Sequence, residues 1–150
     1  VYKIGCLGKI TKIIKNKDGR ILINLSGICR FSIKKEINNS KLYREFEVEY
    51  ENFIEDVNVH EKNIKKINYE ILLNKIKKFF EKNGILLNWN EFNKLNESQK
   101  INTLAMISPI SSEEKQTLLE TVVMDEKVRV LTNIIEFYLH ETGEEKNTLQ

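Results

Sequence analysis

The sequence predicts a mixed α+β fold in which a β-rich first half is followed by an all-helical second half. In residues 21–33 and 45–50 apolar or small residues recur at every second position, whereas after Asp56 apolar residues recur at helical spacing. No stretch rich in proline, glycine or serine separates the two halves. We therefore expect a β subdomain over residues 1–57, a helical subdomain over residues 58–143 and a flexible tail over residues 144–150.

The first two predicted strands, residues 4–14 and 21–33, form a hairpin around the turn NKDGR. Asp18-Gly19 in this turn supplies the positive-φ backbone conformation that short hairpin loops need. In the second strand the odd-numbered positions are apolar or small and the even-numbered positions are mostly polar. This alternation is typical of a strand buried on one face, so we expect one face of the hairpin to lie in a core.

The two cysteines of the chain, Cys6 and Cys29, lie on these two strands. If the hairpin places Lys15 opposite Arg20, the same register places the cysteines opposite each other. They are too few for a disulfide framework and belong to no motif with zinc-ligand spacing. We expect small, buried, reduced thiols and leave a redox role open.

A third strand is predicted in EFEVEY, with Phe46, Val48 and Tyr50 inward and the glutamates outward. The outward residues are Glu45, Glu47 and Glu49. They present carboxylates along one face, but no loop rich in carbonyl ligands supports a divalent cation there. A solvated sheet face is the favoured interpretation.

The first helix is predicted by a stripe of apolar residues that ends at Asn83-Gly84, a pair typical of a left-handed helix C-cap. A short helical stretch follows around residues 90–94. A further helix covers residues 98–107, after which Pro109 interrupts the chain. The stripe of the first helix consists of Ile64, Ile67, Ile71, Ile76, Phe79 and Phe80.

Two more helices have recognisable starts. Ser111 and Glu114 have the spacing of a capping box, and Asp125 is a suitable cap for the last helix. The last helix is predicted to bury Val128, Leu131, Ile135 and Leu139.

The sequence gives little indication of catalytic activity, since it contains no Walker phosphate loop, no GxGxxG motif and no GxSxG motif. Of the two histidines, His140 complements the dipole at the end of the last helix. His60, which follows Glu55 and Asp56, is a candidate general base or metal ligand, but a surface residue is the favoured interpretation. We expect no catalytic residue, no metal and no cofactor.

No stretch reaches the ~18 apolar residues that a membrane helix needs, and the first residues lack the apolar core of a secretory signal. A cytoplasmic location without membrane contact is therefore expected.

Positive charge is concentrated in the first 40 residues, which carry nine lysines and arginines against Asp18 and Glu36. A basic surface of this kind attracts phosphates through counterion release. No aromatic residue that would stack on bases interleaves the basic positions, however. These positions are Lys9, Lys12, Lys15, Lys17 and Arg20.

Four stretches together resemble a known family: GCLGKI from Gly5, DGRILINLSGICRFSI from Asp18, YREFEVEY from Tyr43 and LAMISPISSEEKQTLLE from Leu104. Over residues 5–135 they resemble the N-terminal substrate-binding domain of the Lon ATP-dependent protease (protease La) family, which also occurs in standalone proteins. The first-half positions that fit are Gly5, Gly8, Asp18, Gly19, Arg20, Leu25, Gly27, Arg30, Phe31 and Ile33, with Tyr43 and Val48. In the second half they are Leu104, Ile107, Ile110, Lys115, Gln116, Leu118, Leu119, Arg129 and Leu131.

The resemblance implies a small PUA-like β-barrel followed by a helical bundle. Gly5, Gly8 and Gly27 would then lie at bulges or corners of the barrel wall. Arg30 would anchor that wall by bonding loop carbonyls or a carboxylate. The family's opening strands are expected before Val1 and are absent from this sequence, as are its ATPase and Ser-Lys peptidase modules.

The function implied is recognition of unfolded or damaged polypeptides, or of an adaptor, for delivery to proteolysis. Partners would be such client polypeptides and the ATPase and protease modules of Lon, and self-association is left open. PUA-like barrels elsewhere bind RNA, so an RNA-binding module is the alternative function, although nucleic acid is disfavoured. The candidate client-binding residues, each of which also fits a core position, are Ile28, Phe53, Trp89 and Phe92.

Overall fold

The computed structural model describes residues 1–57 and 65–144, with side chains up to His140. His60, Ile64 and residues 145–150 of the expected tail lie outside the described residues. The chain divides into two compact units, Val1–His60 and Glu61–Gln150. Strands lie in the first and α-helices in the second, so the predicted α+β class is confirmed.

The first unit contains strands β1 (Ile4–Lys15), β2 (Ile21–Ile37) and β3 (Glu45–Glu49) and a 3-10 helix, η1 (Glu51–Asp56). The strands form an antiparallel sheet in the order β1-β2-β3. A barrel closes only when its first and last strands pair. Among the described residues the sheet has three strands and remains open, so the expected closed barrel is not observed.

The hairpin turn between β1 and β2 uses the predicted Asp18-Gly19 pair. The Gly19 amide donates to the Asn16 carbonyl (3.1 Å), the Asn16 amide donates to the Arg20 carbonyl (2.9 Å), and Gly19 has φ +84°. This is a three-residue loop with a glycine bulge. The bulge places Asn16 opposite Arg20, so the expected pairing of Lys15 with Arg20 is wrong by one residue.

The register therefore separates the two cysteines. Cys6 lies opposite Arg30, and Cys29 lies opposite Leu7. Both thiols are free; Cys6 is exposed and Cys29 is half-buried, which corrects the expectation of two buried thiols facing each other. Partial burial raises the pKa of the Cys6 thiol.

A β-bulge interrupts the hairpin ladder beside two facing glycines. Gly8 lies opposite Gly27, the next pair joins Leu7 to Cys29, and Ile28 is the additional residue on β2. A Cβ at Gly5 would come within 2.5 Å of the Phe31 ring, so the ring covers this glycine directly.

The apolar alternation of β2 does not correspond to burial. Between Ile21 and Ile28 every residue of β2 is exposed, and the same holds for β1 beyond Gly5. Burial begins at Cys29 and includes Arg30, which is 6% exposed. The half-buried hairpin face expected from the sequence is therefore wrong for the part of the hairpin nearest the turn.

The outward glutamates of β3 each pair with a lysine. Glu49 bonds Lys34 (2.9 Å), Glu47 bonds Lys35 (3.0 Å), and Glu45 bonds Lys41. The first two pairs join β2 to β3, and the third joins β3 to the loop before it. These ion pairs explain the alternating glutamates without a cation.

The second unit contains five helices among its described residues: α1 (Lys66–Lys82), α2 (Trp89–Asn93), α3 (Glu97–Ile107), α4 (Ser112–Glu120) and α5 (Met124–Glu144). The predicted helices are all present.

Two of the three predicted caps form. The third does not, because α5 begins at Met124 and Asp125 therefore lies inside its first turn. Gly84 has φ +65°, and the Ile85 amide donates to the Phe80 carbonyl (2.9 Å), which is a Schellman motif. Ser111 and Glu114 form a reciprocal capping box at the start of α4.

The core of the second unit lies mainly along α1 and α5 and is closed by the shorter helices. Leu139, on α5, is only partly buried. On α1 the buried face corrects the predicted stripe, because Ile67 and Ile71 are 67% and 44% exposed. Nine residues separate Ile67 from Ile76, so the two lie on opposite sides of the helix. The core consists of Leu72, Ile76, Phe79, Phe80, Phe92, Ile101, Leu104, Ile110, Leu118, Met124, Val128, Leu131 and Ile135.

Asp125 connects the first turns of α5 and α1. Its carboxylate accepts hydrogen bonds from Asn68 Nδ2 (3.0 Å) and from the Lys65 amide (3.2 Å). The bond from Asn68 holds the pKa of Asp125 below its ordinary value of 3.8.

Because the folded pKa is depressed, the stabilisation by Asp125 is present above pH 3.8 and is lost as the pH falls through the folded pKa. We predict that Asp125→Asn lowers the thermal midpoint at pH 7 and that the difference from the native chain shrinks in acid. Glu126→Gln, an exposed carboxylate in the same turn, is the control and should change little. Thermal unfolding followed by circular dichroism at several pH values tests this, and an equal, pH-independent loss in both variants would contradict it.

Candidate functional site

The four candidate client-binding residues fall into two classes in the structure. Phe53 and Phe92 are each 3% exposed and lie within the packing of their own units. They offer a client no surface unless they move. Ile28 is 45% exposed and Trp89 is half-buried, so these two remain accessible.

Ile28 belongs to an exposed apolar surface on the hairpin, which we call the apolar hairpin. Between Leu7 and Ile28, nine large aliphatic side chains of β1 and β2 are each 36% to 62% exposed. Single exposed aliphatic residues are ordinary on protein surfaces, but so many on one hairpin make an unusually large exposed apolar surface. The nine are Leu7, Ile10, Ile13, Ile14, Ile21, Leu22, Ile23, Leu25 and Ile28.

The same hairpin is strongly basic. Between residues 4 and 29 it carries five exposed lysines and arginines and a single acid, Asp18. That acid is already bonded to Arg20 (2.7 Å). The basic positions predicted from the sequence therefore lie on the surface beside the aliphatic side chains.

The base of the hairpin is held by Arg30. Its Nε donates to Asp56 Oδ2 (2.7 Å), its Nη2 donates to Asp56 Oδ1 (2.8 Å), and its backbone amide also donates to Oδ2 (3.1 Å). The guanidinium lies 4.6 Å from the centre of the Phe53 ring. The two side chains are 7% and 15% exposed, so the pair is stable because its bidentate geometry compensates for lost hydration.

The second accessible site is a groove on the helical unit, which we call the Trp89 groove. It is lined by Lys77, Phe80, Glu81, Ile85 and Trp89 and has a volume of about 300 Å³. The groove forms because the Schellman turn folds Ile85 back against Phe80, the hydrophobic contact that this motif favours.

The indole of Trp89 is fixed from two sides. The Lys77 ammonium lies 5.4 Å from the ring, and the Phe92 ring contacts it edge-on at 5.5 Å. Phe92 thus supports Trp89 from below. The adjacent Leu86 is 98% exposed, which extends the apolar surface beside the groove.

The groove therefore offers an aromatic wall, an apolar floor and one charge of each sign. Such an arrangement suits an apolar side chain on a polar backbone.

Within the described residues, no group of three or more histidine, cysteine, aspartate or glutamate side chains could hold a metal ion. None of the described helices is long and apolar enough to cross a membrane.

Sequence reasoning identified Trp89 but missed the residues that surround it. Lys77 and Glu81 lie four residues apart on α1, and the C-cap at Asn83-Gly84 predicts a contact between Ile85 and Phe80. These two signals together could have indicated the groove. Asp56 was not predicted as the partner of Arg30, because the two are far apart in sequence.

Comparison with protein families gives one match. The model of the ATP-dependent protease La (LON) substrate-binding domain matches residues 1–136. A search of curated protein sequences finds no match.

The solved structures with a similar fold include two Lon N-terminal domains. One is a Lon N-terminal domain protein from Xanthomonas campestris, with 14% identity and a TM-score of 0.62 over 87% of this chain and 66% of the other. The second is the N-terminal domain of Mycobacterium avium complex Lon protease, with 20% identity and a TM-score of 0.61 over 89% of this chain and 70% of the other. The chain therefore spans about two thirds of each of these structures.

We predict that Asp56→Asn destabilises the first unit by about 3 kcal/mol, because it removes the carboxylate charge that pairs with the buried Arg30 guanidinium. Glu36→Gln is the matched control. Glu36 bonds Arg44 with the same two-pronged geometry (2.7 Å for both bonds), but these side chains are 44% and 57% exposed. The control should lose much less stability, because water and salt screen an exposed ion pair. Urea unfolding measures both, and equal losses would show that burial of the Arg30 pair has no special effect.

Proposed function

The chain belongs to the family of the ATP-dependent protease La (LON) substrate-binding domain, and from this premise we propose that it binds unfolded or damaged polypeptides for delivery to proteolysis. Substrate recognition is the role of this domain in the family, and the matched domain is the non-catalytic one. No ATPase or protease domain is detected in the sequence. The proposal adds the kind of substrate and the surfaces that contact it.

The observation that carries the proposal is the accessible apolar surface on each unit. An unfolded polypeptide differs from a folded one mainly in exposing apolar side chains. Burying them against an apolar surface lowers the free energy by about 25 cal/mol per Å² of apolar area removed from water. The apolar hairpin and the Trp89 groove both offer such a surface.

The Trp89 groove supplies the specific anchor in this proposal. Tryptophan buries a large area with few rotatable bonds to immobilise, and contact with Phe92 and Lys77 holds the ring in place before the client arrives. Because the groove is small and the client must lose conformational freedom, each contact is weak and reversible. Reversibility suits a domain that passes its client on.

The delivery step requires a partner that unfolds and cleaves. We propose that the ATPase and protease modules of Lon supply it, either in the same chain or in another, and that the protein acts in the cytoplasm. Binding of an adaptor in place of the client would use the same surfaces.

RNA binding is a second candidate because five exposed basic residues lie on the hairpin. The aliphatic side chains between them offer bases no stacking surface. A short single-stranded RNA tests this at two salt concentrations. Tight, salt-sensitive RNA binding without affinity for an unfolded protein would favour this candidate instead.

For the main proposal we predict that Trp89→Ala weakens binding of a fluorescently labelled, permanently unfolded protein by about tenfold. Phe137→Ala is the control, since Phe137 is 57% exposed but does not line the groove. Fluorescence anisotropy measures both affinities. In the native chain, Trp89 is the only tryptophan, so its emission should also shift to the blue as the client covers it. Native affinity in Trp89→Ala would contradict the proposed role of the groove.

A further inference from the structure

The turn that ends α1 contains the one asparagine-glycine pair of the sequence, Asn83-Gly84. Helix termination explains the glycine, since Gly84 has φ +65°, but it does not require asparagine in front of it. The pair is chemically reactive, because a glycine amide nitrogen carries no neighbouring side chain that would hinder its attack on the side-chain amide of the preceding asparagine. We call the turn formed by Asn83, Gly84 and Ile85 the α1 cap.

The closed α1 cap keeps the reacting groups apart. Asn83 Nδ2 donates to the Phe79 carbonyl (2.8 Å), and the Gly84 amide donates to the Glu81 carbonyl (3.3 Å). The ψ angle of Asn83 is 6°, which turns the Gly84 nitrogen away from the side-chain carbon that it would attack. Rotation about this ψ angle brings the two atoms together, and it also breaks the bond from Gly84 to Glu81. Reaction therefore requires the cap to open.

The α1 cap lies at the end of a helix, where opening costs little. Asn83 and Gly84 are both exposed. Besides the bond from Gly84, the cap is closed by a bond from the Ile85 amide to the Phe80 carbonyl (2.9 Å) and by packing of Ile85 against the core. Helix ends open locally far more often than a whole unit unfolds. The reactive conformation is therefore a minor population of the folded protein.

We propose that Asn83 is a site of deamidation whose rate is set by opening of the α1 cap. In the open cap the Gly84 nitrogen forms a bond to Asn83 Cγ and the bond from Cγ to Nδ2 breaks. The proton of the Gly84 amide leaves with Nδ2 as ammonia. Water then adds to one of the two carbonyls of the cyclic imide and cleaves its bond to nitrogen, which gives aspartate or isoaspartate. Water is the only co-reactant.

Neither product rebuilds the α1 cap as it was. Isoaspartate adds one carbon to the backbone before Gly84, so the bonds from Gly84 and Ile85 no longer fit together. Aspartate keeps the backbone but places a negative charge at the C-terminus of α1, where the helix dipole disfavours it. In both cases Ile85 loses its fixed contact with Phe80, and the Trp89 groove loses one wall. This effect is the same whatever the groove binds, so the inference goes beyond the proposed function.

The test compares the whole chain with a synthetic peptide of residues 77–89, incubated together at mildly alkaline pH. Mass spectrometry of digested samples measures the deamidated fraction at Asn83 over time. We expect the native chain to react at least about tenfold more slowly than the peptide, because the open cap is a minor population, and urea should remove the difference. Equal rates without urea would show that the cap does not control the reaction. An Asn83 that stays intact in the chain while the peptide reacts to completion would show that it is not a site.

Two neighbouring variants test the control by the cap. Ile85→Ala removes the contact with Phe80 and should speed deamidation of the folded chain by about fivefold. Leu86→Ala is the matched control, since Leu86 is 98% exposed and should leave the rate unchanged. Circular dichroism confirms that both variants are folded, and equal rates in the two would contradict the proposal. The comparison of chain and peptide still decides if Ile85→Ala does not fold.

The emission of Trp89, the only tryptophan, reports the effect on the groove. After deamidation the emission of the native chain should shift to the red, because the indole gains water as the groove opens. Asn83→Gln is the control, since glutamine would have to close a larger and slower ring. Its emission should stay constant over the same incubation. Unchanged emission in a native chain that has deamidated would overturn the inferred effect on the groove.

Discussion

The buried ion pair between Arg30 and Asp56 is the constraint on which the first unit depends. It joins the middle of β2 to the end of η1, and Phe53 packs beneath the guanidinium. After Arg30, β2 pairs with β1 as far as Ser32 and with β3 from Ser32 onward, and its next three residues, 31–33, are partly buried. Between Ile21 and Ile28 it pairs with β1 alone and is exposed. A single pair therefore divides the hairpin into an anchored base and an open end.

The open end leaves the aliphatic side chains of the apolar hairpin exposed while the base stays folded. An exposed apolar surface favours aggregation. The lysines of β1 disfavour self-association of the hairpin, because like charges repel. The helical unit follows a different arrangement, since its core is closed and its accessible surface is a groove beside one fixed aromatic ring.

Local signals predicted most of the secondary structure because each depends on a few neighbouring residues. The Asp18-Gly19 turn, the Gly84 C-cap and the Ser111 capping box all formed as expected. Burial and register were predicted less well. The alternation in β2 shows that the strand has an apolar face, but it does not show whether another element covers that face. The register was missed because the glycine bulge in the turn adds one residue, which places Asn16 opposite Arg20, and a periodic pattern cannot reveal such an addition. On α1 the apolar residues were interpreted as one buried face, although Ile67 and Ile71 lie on a different side of the helix from the buried Ile76. The candidate site was predicted in part. Trp89 and Ile28 are accessible, as the prediction requires. The residues that surround Trp89 were missed because most of them lie on α1, far from Trp89 in the sequence.

The central claim is that the first unit is anchored by the buried pair of Arg30 with Asp56, whereas the part of the hairpin nearer its turn is exposed. Hydrogen exchange of individual backbone amides, followed by NMR, tests it most directly. The Arg30 amide, which donates to Asp56 Oδ2 (3.1 Å), should exchange slowly in the native chain and clearly faster in Asp56→Asn, while Glu36→Gln should leave its rate unchanged. An Arg30 amide with the same exchange rate in the native chain and in Asp56→Asn would contradict the account.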